Sequence, residues 1–232
     1  MPRRLQRKYM KTGSVDDIRV LTIHHRKYPR LLKEIPDPPA VLYVRGTGSK
    51  IQMEKTIAVV GTRHVTPYGR QITKKLVTEL VKRGYTIVSG LAYGVDAIAH
   101  QAAIDAGGKT IAVLGAGIDI IAPPSNAMLY WDIVHGHGAV ISEIPPGVRT
   151  DKKRFVTRNR IISGLSLGVL VTEGARKSGS LITANYAATQ GREVFAVPGP
   201  VTSIYSGAVS FLLKNGAKLV ESVDDIIEEL TI

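Results

Sequence analysis

From Lys55 onward the chain alternates short, almost wholly apolar runs with longer stretches whose apolar positions recur every three or four residues. The short runs are "IAVV" (57–60), "YTIV" (85–88), "TIAVL" (110–114), "AVIS" (139–142), "GVLVT" (168–172) and "EVFAV" (193–197), with a last brief one, "AKLV", at 217–220. A run that is apolar at nearly every position, and not at alternate ones, suits a strand buried on both faces. Helical spacing fills the gaps, as at Ile72, Leu76, Leu80 and Val81. This alternation predicts an α/β fold, an extended Rossmann-like, doubly wound, mostly parallel sheet.

Upstream the pattern differs. Residues 16–54 hold two strand-like runs, "IRVLTI" and "VLYVRG", parted by the proline-rich turn "IPDPPA". They read as an N-terminal extension packed on a main domain of residues 55–232. Residues 1–15 read as a disordered basic tail. No winged-helix domain is expected after the sheet, and no helical domain before it. No stretch of 18 or more apolar residues is present and no apolar core follows the basic N-terminus, so a soluble, cytoplasmic protein is expected.

In such a fold, ligands bind beyond the carboxyl ends of the strands, near the point where the strand order reverses. The loops there are "GTRH", "SGLAYGVD", "GAGID", "SEIPPGVRTDKKRF", "TEGARKSGS" and "PGPVTSIYSG". None is a good dinucleotide fingerprint. "VVGTRHVTPYG" has one early glycine, and "VLGAGIDII" has Gly115 and Gly117 but Ile120 in third place. The total absence of cysteine removes disulfides, thiolate metal sites and cysteine nucleophiles. The two histidines of "HGHG", His135 and His137, read as a plain loop, and no metal or cofactor is expected.

Asp96 and His100 share a helix face at a spacing of four, but a helix-capping aspartate beside a packed histidine is the commoner arrangement. Glu143 and Glu173 end strands, where acids commonly accept from loop amides. The serines lack a nucleophile-elbow context.

Charge changes the picture most. The formal net charge is +12 and the isoelectric point about 9.9, a balance that attracts polyanions. Two clusters stand where helix starts are expected. "FVTRNRIISGLS" is expected to open a helix near Thr157, with Arg158, Asn159 and Arg160 in its first turn. "ARKSGSLITA" places Arg176 and Lys177 just before another. Cations are disfavoured at a helix N-terminus by roughly 0.3–1 kcal/mol each, and a bound anion reverses that balance. Arg63 ends the first strand of the sheet. A Rossmann-like order would set its loop beside those of the fourth and fifth strands, so that Arg63, the Arg158–Arg160 turn and Lys177 meet in one crevice. Phe155, beside these cations, is a candidate platform for an unpaired base, although a core position fits it equally well.

"TEGARKSGSLITA" (172–184) superficially resembles a triphosphate loop, since Gly174 and Gly179 have the right spacing. Its lysine precedes the second glycine, however, and no Walker B acid accompanies it. The loop instead offers Lys177 and the amides around Ser178, Gly179 and Ser180 to a single backbone phosphate.

The same stretches resemble the DNA-processing protein A (DprA/Smf) family. The resemblance runs from about Tyr28 to Leu230 through "YPRLLKEIPDPPAVLYVRG", "AVVGTR", "SGLAYGVDAIAHQAA", "VLGAGID", "ISEIPPG", "RFVTRNRIISGLS", "EGARKSGSLITANYAATQGREVFAVPG" and "SGAVSFLLKNGAKLV". It implies a homodimer that is not an enzyme, binds single-stranded DNA and loads the RecA recombinase in natural transformation and recombination. It assigns the DNA pocket to Arg63, Phe155, Arg158, Lys177, Ser178 and Ser180. Gly61, Ser89, Gly90 and Tyr93 are secondary candidates. Departures from the family pattern are Tyr93 where arginine is usual, Val156 where proline is usual and Ala208 where asparagine is common. The rival readings are a nucleotide-binding or phosphoribohydrolase-like Rossmann protein, whose P-G-G-x-G-T-x-x-E motif is absent from "PGPVTSIYSG", and a scaffold that contacts proteins only.

Overall fold

The computed structural model describes residues 18–46, 53–149 and 151–230; the expected basic tail lies outside them. In chain order the elements are β1 (Arg19–Thr22), α1 (Arg30–Lys33), β2 (Val41–Gly46), β3 (Thr56–Val60), α2 (Pro67–Lys82), β4 (Thr86–Ser89), α3 (Val95–Asp105), β5 (Thr110–Leu114), α4 (Ala127–Asp132), β6 (Gly138–Ser142), α5 (Lys152–Gly164), β7 (Gly168–Val171), α6 (Gly179–Thr189), β8 (Glu193–Ala196), α7 (Gly207–Lys214), β9 (Lys218–Leu219) and α8 (Val223–Leu230). The strands form one sheet in the order β1-β2-β6-β5-β4-β3-β7-β8-β9. Pairing is parallel from β6 to β9 and antiparallel where β2 joins β6 and β1 joins β2. The expected doubly wound, mostly parallel sheet is therefore present, and the segment before β3 lengthens it by two strands.

The apolar runs are explained by what covers them. Along β3, Ala58 and Val60 face a core shared with Ile161, Ile162 and Leu165 near the end of α5 and Ala184 and Ala187 of α6. Ile57 and Val59 face the opposite core, with Leu76 and Leu80 of α2 and Ala99 and Ala103 of α3. All five residues of β3 are buried, and each large apolar side chain so placed contributes roughly 1.5–3 kcal/mol. No helix among the described residues is long and apolar enough to cross a membrane.

Two expectations need correction. The first is strand order. β3 lies between β4 and β7, the second and fifth strands of the main domain, while the fourth, β6, stands three places from it. Arg63, Arg158, Asn159 and Lys177 nevertheless border one cavity, without Arg160, because α5 leaves β6 and returns to β7, passing the ends of β5 and β4. The second is the start of α5. The helix begins at Lys152, capped by Asp151, whose carboxylate accepts from the Arg154 amide at 2.8 Å. Arg158, Asn159 and Arg160 thus lie in its second and third turns. Thr157 is no cap; its hydroxyl donates back to the Lys153 carbonyl at 3.0 Å.

Candidate functional site

The strand order reverses between β3 and β7, and a cavity of about 550 Å³ opens at the carboxyl ends there. Three segments shape most of it: the loop after β3, one face of α5, and the loop from β7 into α6.

The floor is built around Arg158, only 5% exposed. Its Nη1 donates to the carbonyl of Gly90 at 2.8 Å and to that of Val113, and its Nε to Asn159 Oδ1 at 3.1 Å. These carbonyls end β4 and β5, so the guanidinium ties the two strand ends to α5. Gly90 makes this possible, since a Cβ there would stand 2.7 Å from both terminal guanidinium nitrogens. Burial lowers the Arg158 pKa to about 10, with Asp96 opposing the shift and Arg63 adding to it. The group therefore stays charged at neutral pH. It delivers positive potential to the cavity, with its Nη1 and Nε engaged inside the protein.

Asp96 lies in the first turn of α3, and its carboxylate accepts from the amides of Gly90 (3.2 Å) and Ala92 (3.3 Å). Burial raises its pKa, against the pull of Arg158 and these amides. His100 is fully buried, with Nδ1 2.6 Å from Thr110 Oγ1. That hydroxyl gives its proton to the Ile87 carbonyl at 2.9 Å, which assigns the ring hydrogen to Nδ1. Burial, and then Arg158, push the His100 pKa down to about 3. The imidazole is a neutral core group and makes no pair with Asp96. Glu173 accepts from the Thr66 amide and hydroxyl at the start of α2 (2.9 and 2.6 Å), and Glu143 pairs with Arg160 at 2.7 Å. Among the described residues, Asp96 is the one carboxylate lining the cavity.

The walls carry cations of another kind. Arg63 and Lys177 are exposed, and neither forms an ion pair among the described residues. The Arg63 and Arg158 guanidinium carbons lie 6.0 and 5.9 Å from the centroid of the Phe155 ring, which sits half-buried at the cavity edge. On the other side Ser178 caps α6, its Oγ accepting from the Ser180 amide at 3.3 Å and lying 2.9 Å from Ser180 Oγ. Nothing lies within 4 Å of where a Gly179 side chain would be. The first amide of α6, that of Gly179, has no hydrogen-bond acceptor among the described residues, and Lys177 stands just ahead of it: free N–H, helix dipole and cation together suit an anion.

Of the residues singled out from sequence, Gly61, Arg63, Phe155, Arg158, Asn159, Lys177, Ser178, Gly179 and Ser180 line this cavity together. Four stand outside its lining. Arg160 is 7% exposed and bridges Asp37 (2.9 Å) and Glu143 (2.7 Å), fastening the N-terminal segment to α5 and the end of β6. Ser89 donates to the Val59 carbonyl at 2.7 Å, stitching β4 to β3. Gly90 accommodates Arg158. Tyr93 is 51% exposed, beyond the lining. His64 and Tyr205 do line the cavity and were not singled out; both lie in loops recognised as strand ends, and only the scarcity of aromatic residues could have drawn attention to Tyr205. Elsewhere, His135 stacks on Trp131 at 5.3 Å, and no group of three metal-ligating side chains occurs among the described residues.

A Rossmann-like sheet with a basic cavity at its switch point defines the class: a doubly wound α/β protein with its crevice where such folds usually carry one. The chain belongs to the DNA recombination-mediator protein A family, whose model matches residues 19–231. It is 46% identical to DNA processing protein DprA of Bacillus subtilis over 213 residues, 92% of this chain and 71% of that one. Among solved structures, DNA processing protein A from Streptococcus pneumoniae superposes with a TM-score of 0.87 at 40% identity, over 94% of this chain and 76% of that one. DNA processing protein A from Helicobacter pylori, studied for its single-stranded-DNA binding mode, gives a TM-score of 0.81 at 31% identity, over 92% and 96%. The chain spans about half the length of the curated relatives from Synechocystis (53%) and Escherichia coli (54%).

Proposed function

We propose that the cavity grips the backbone of single-stranded DNA, without sequence preference, and that the protein hands this DNA to a RecA-type recombinase. One observation carries the reading: Arg63 and Lys177, without ion pairs among the described residues, the N-terminus of α6 and the ring of Phe155 all border one cavity, whose one carboxylate among the described residues is already bound to backbone amides. Phosphates would sit on Arg63, Lys177 and the Gly179 amide, with a base on Phe155. Arg158 would act through the field it adds and the loop geometry it fixes. The single-stranded-DNA binding of the Helicobacter pylori neighbour supports the assignment. Homodimer formation, a cytoplasmic setting and a non-catalytic, mediator role belong to the same reading.

The test is equilibrium binding of a labelled single-stranded oligonucleotide across a salt series, with duplex DNA and mononucleotides as competitors. Three or four neutralised phosphates predict a slope of log K against log salt of roughly −2 to −3. A slope near zero removes the phosphate grip. Displacement by micromolar mononucleotide would instead favour a nucleotide-binding pocket.

A further inference from the structure

Tyr205 borders the cavity from a different segment of the chain than Phe155 does. Phe155 is anchored at the end of β5: a Cβ on Gly115, the residue after that strand, would lie 3.2 Å from the Phe155 Cα. Tyr205 is anchored beyond β7, where its carbonyl accepts from the Gly174 amide at 2.6 Å. The ends of β4 and β3 lie between. The two anchors are thus three strand steps apart, roughly 14 Å at the usual spacing of neighbouring strands. Arg63, after β3, and Lys177, after β7, stand along that span.

The backbone of Tyr205 is firmly held. It sits in the short helical turn Ile204–Ser206, where the Ser203 hydroxyl accepts from the Tyr205 amide at 3.3 Å. Gly174, which accepts from the Ala208 amide at 2.7 Å, closes the loop on the turn. The side chain is less committed. Tyr28, Tyr68 and Tyr130 each donate their hydroxyl to a backbone carbonyl, as tyrosines that hold a fold together usually do. The Tyr205 hydroxyl has no hydrogen-bond partner among the described residues, and its half-buried ring lines the basic cavity. An aromatic ring carried on a held backbone, beside cations without ion pairs, is the arrangement on which unpaired bases stack.

We propose that Tyr205 is a second base-stacking platform, holding a different nucleotide of the same strand from the one on Phe155. The inference rests on the single-stranded-DNA reading above. Bases held at both ends would leave the intervening phosphates to Arg63, Lys177 and the start of α6.

The experiment compares binding of a labelled oligothymidine and an abasic oligomer of the same length to the wild type and to Tyr205→Ala, Tyr205→Phe, Phe155→Ala and the double Phe155→Ala/Tyr205→Ala variant. Loss of one stacked base predicts that Tyr205→Ala weakens oligothymidine binding by about 5- to 150-fold. Tyr205→Phe should stay within about threefold of wild type. The abasic oligomer should bind Tyr205→Ala and wild type alike, and the double variant should lose the product of the single losses. The proposal is overturned if Tyr205→Ala binds oligothymidine as wild type does, if it loses equally on the abasic oligomer, or if the double variant is no weaker than the worse single. A wild type that binds neither oligomer removes the DNA reading itself, and the stacking proposal with it.

Discussion

The two helices that frame the cavity, α5 and α6, both begin without an acid in their first turn, yet they use their cations in opposite ways. α5 is capped by a carboxylate, Asp151, and its interior arginines are bonded within the protein, Arg158 to the carbonyls of Gly90 and Val113 and Arg160 to Asp37 and Glu143. α6 is capped by the hydroxyl of Ser178, leaves its Gly179 amide without an acceptor among the described residues, and is preceded by Lys177, which forms no ion pair among them. The contrast teaches that charge and availability are separate properties. A cation with internal partners organises the loops around it; one without them is ready for a ligand. The net charge of +12 counts both kinds equally.

The comparison can be broken most sharply at Arg158. Replacing it with alanine strands the buried Asp96 without its cation and leaves the carbonyls of Gly90 and Val113 without their donor. Stability should fall by about 3–5 kcal/mol, as when one member of a buried charge pair is removed, measured as the shift in a urea unfolding midpoint. A loss below about 1 kcal/mol would show that the bonds of Arg158 to the ends of β4 and β5 do not hold the fold. Lys177→Ala should show the opposite profile. Binding of single-stranded DNA weakens by about 1.5–3 kcal/mol, the range for a hydrogen bond to a charged group, while the unfolding midpoint stays within about 0.5 kcal/mol of wild type. Titration and melting of the same preparation decide it.

The smallest and cleanest effect is expected at Gly179. Proline there removes one amide donor yet suits the first position of a helix, and Ser178 already has the extended backbone (φ −69°, ψ 145°) that a following proline requires. Gly179→Pro should cost about 0.5–1.5 kcal/mol of DNA binding and leave stability unchanged or slightly raised. Unchanged affinity would show that the end of α6 takes no phosphate.

What the sequence made legible follows the same division. The central strands could be read because burial on both faces makes them apolar throughout, and local composition records that directly. The loop residues of the cavity could be placed on strand ends for the same reason. The start of α5 was misread because Asp151 is followed by Lys152, Lys153 and Arg154, which look like a solvated loop, while Thr157 looks like a cap until its hydroxyl is seen bonded to Lys153. The role of Arg160 depends on Asp37, 123 positions away, and no local pattern carries a partner at that distance. Strand order had the same origin: which strand lies beside β3 is decided by how α5 crosses the sheet, not by any run of residues. Tyr205 was passed over because a single aromatic in a glycine- and serine-rich loop gives no periodic signal.

The bond between Arg158 and the loop after β4 also bears on inheritance. An arginine at 158 demands a residue without a side chain at 90 and an acid at 96 to hold the turned loop, so no member of the trio can drift alone without injury. Descendants of this gene should therefore keep Gly90, Asp96 and Arg158 together or exchange them together, while Lys177, which has no ion-pair partner among the described residues, is bound by no such constraint.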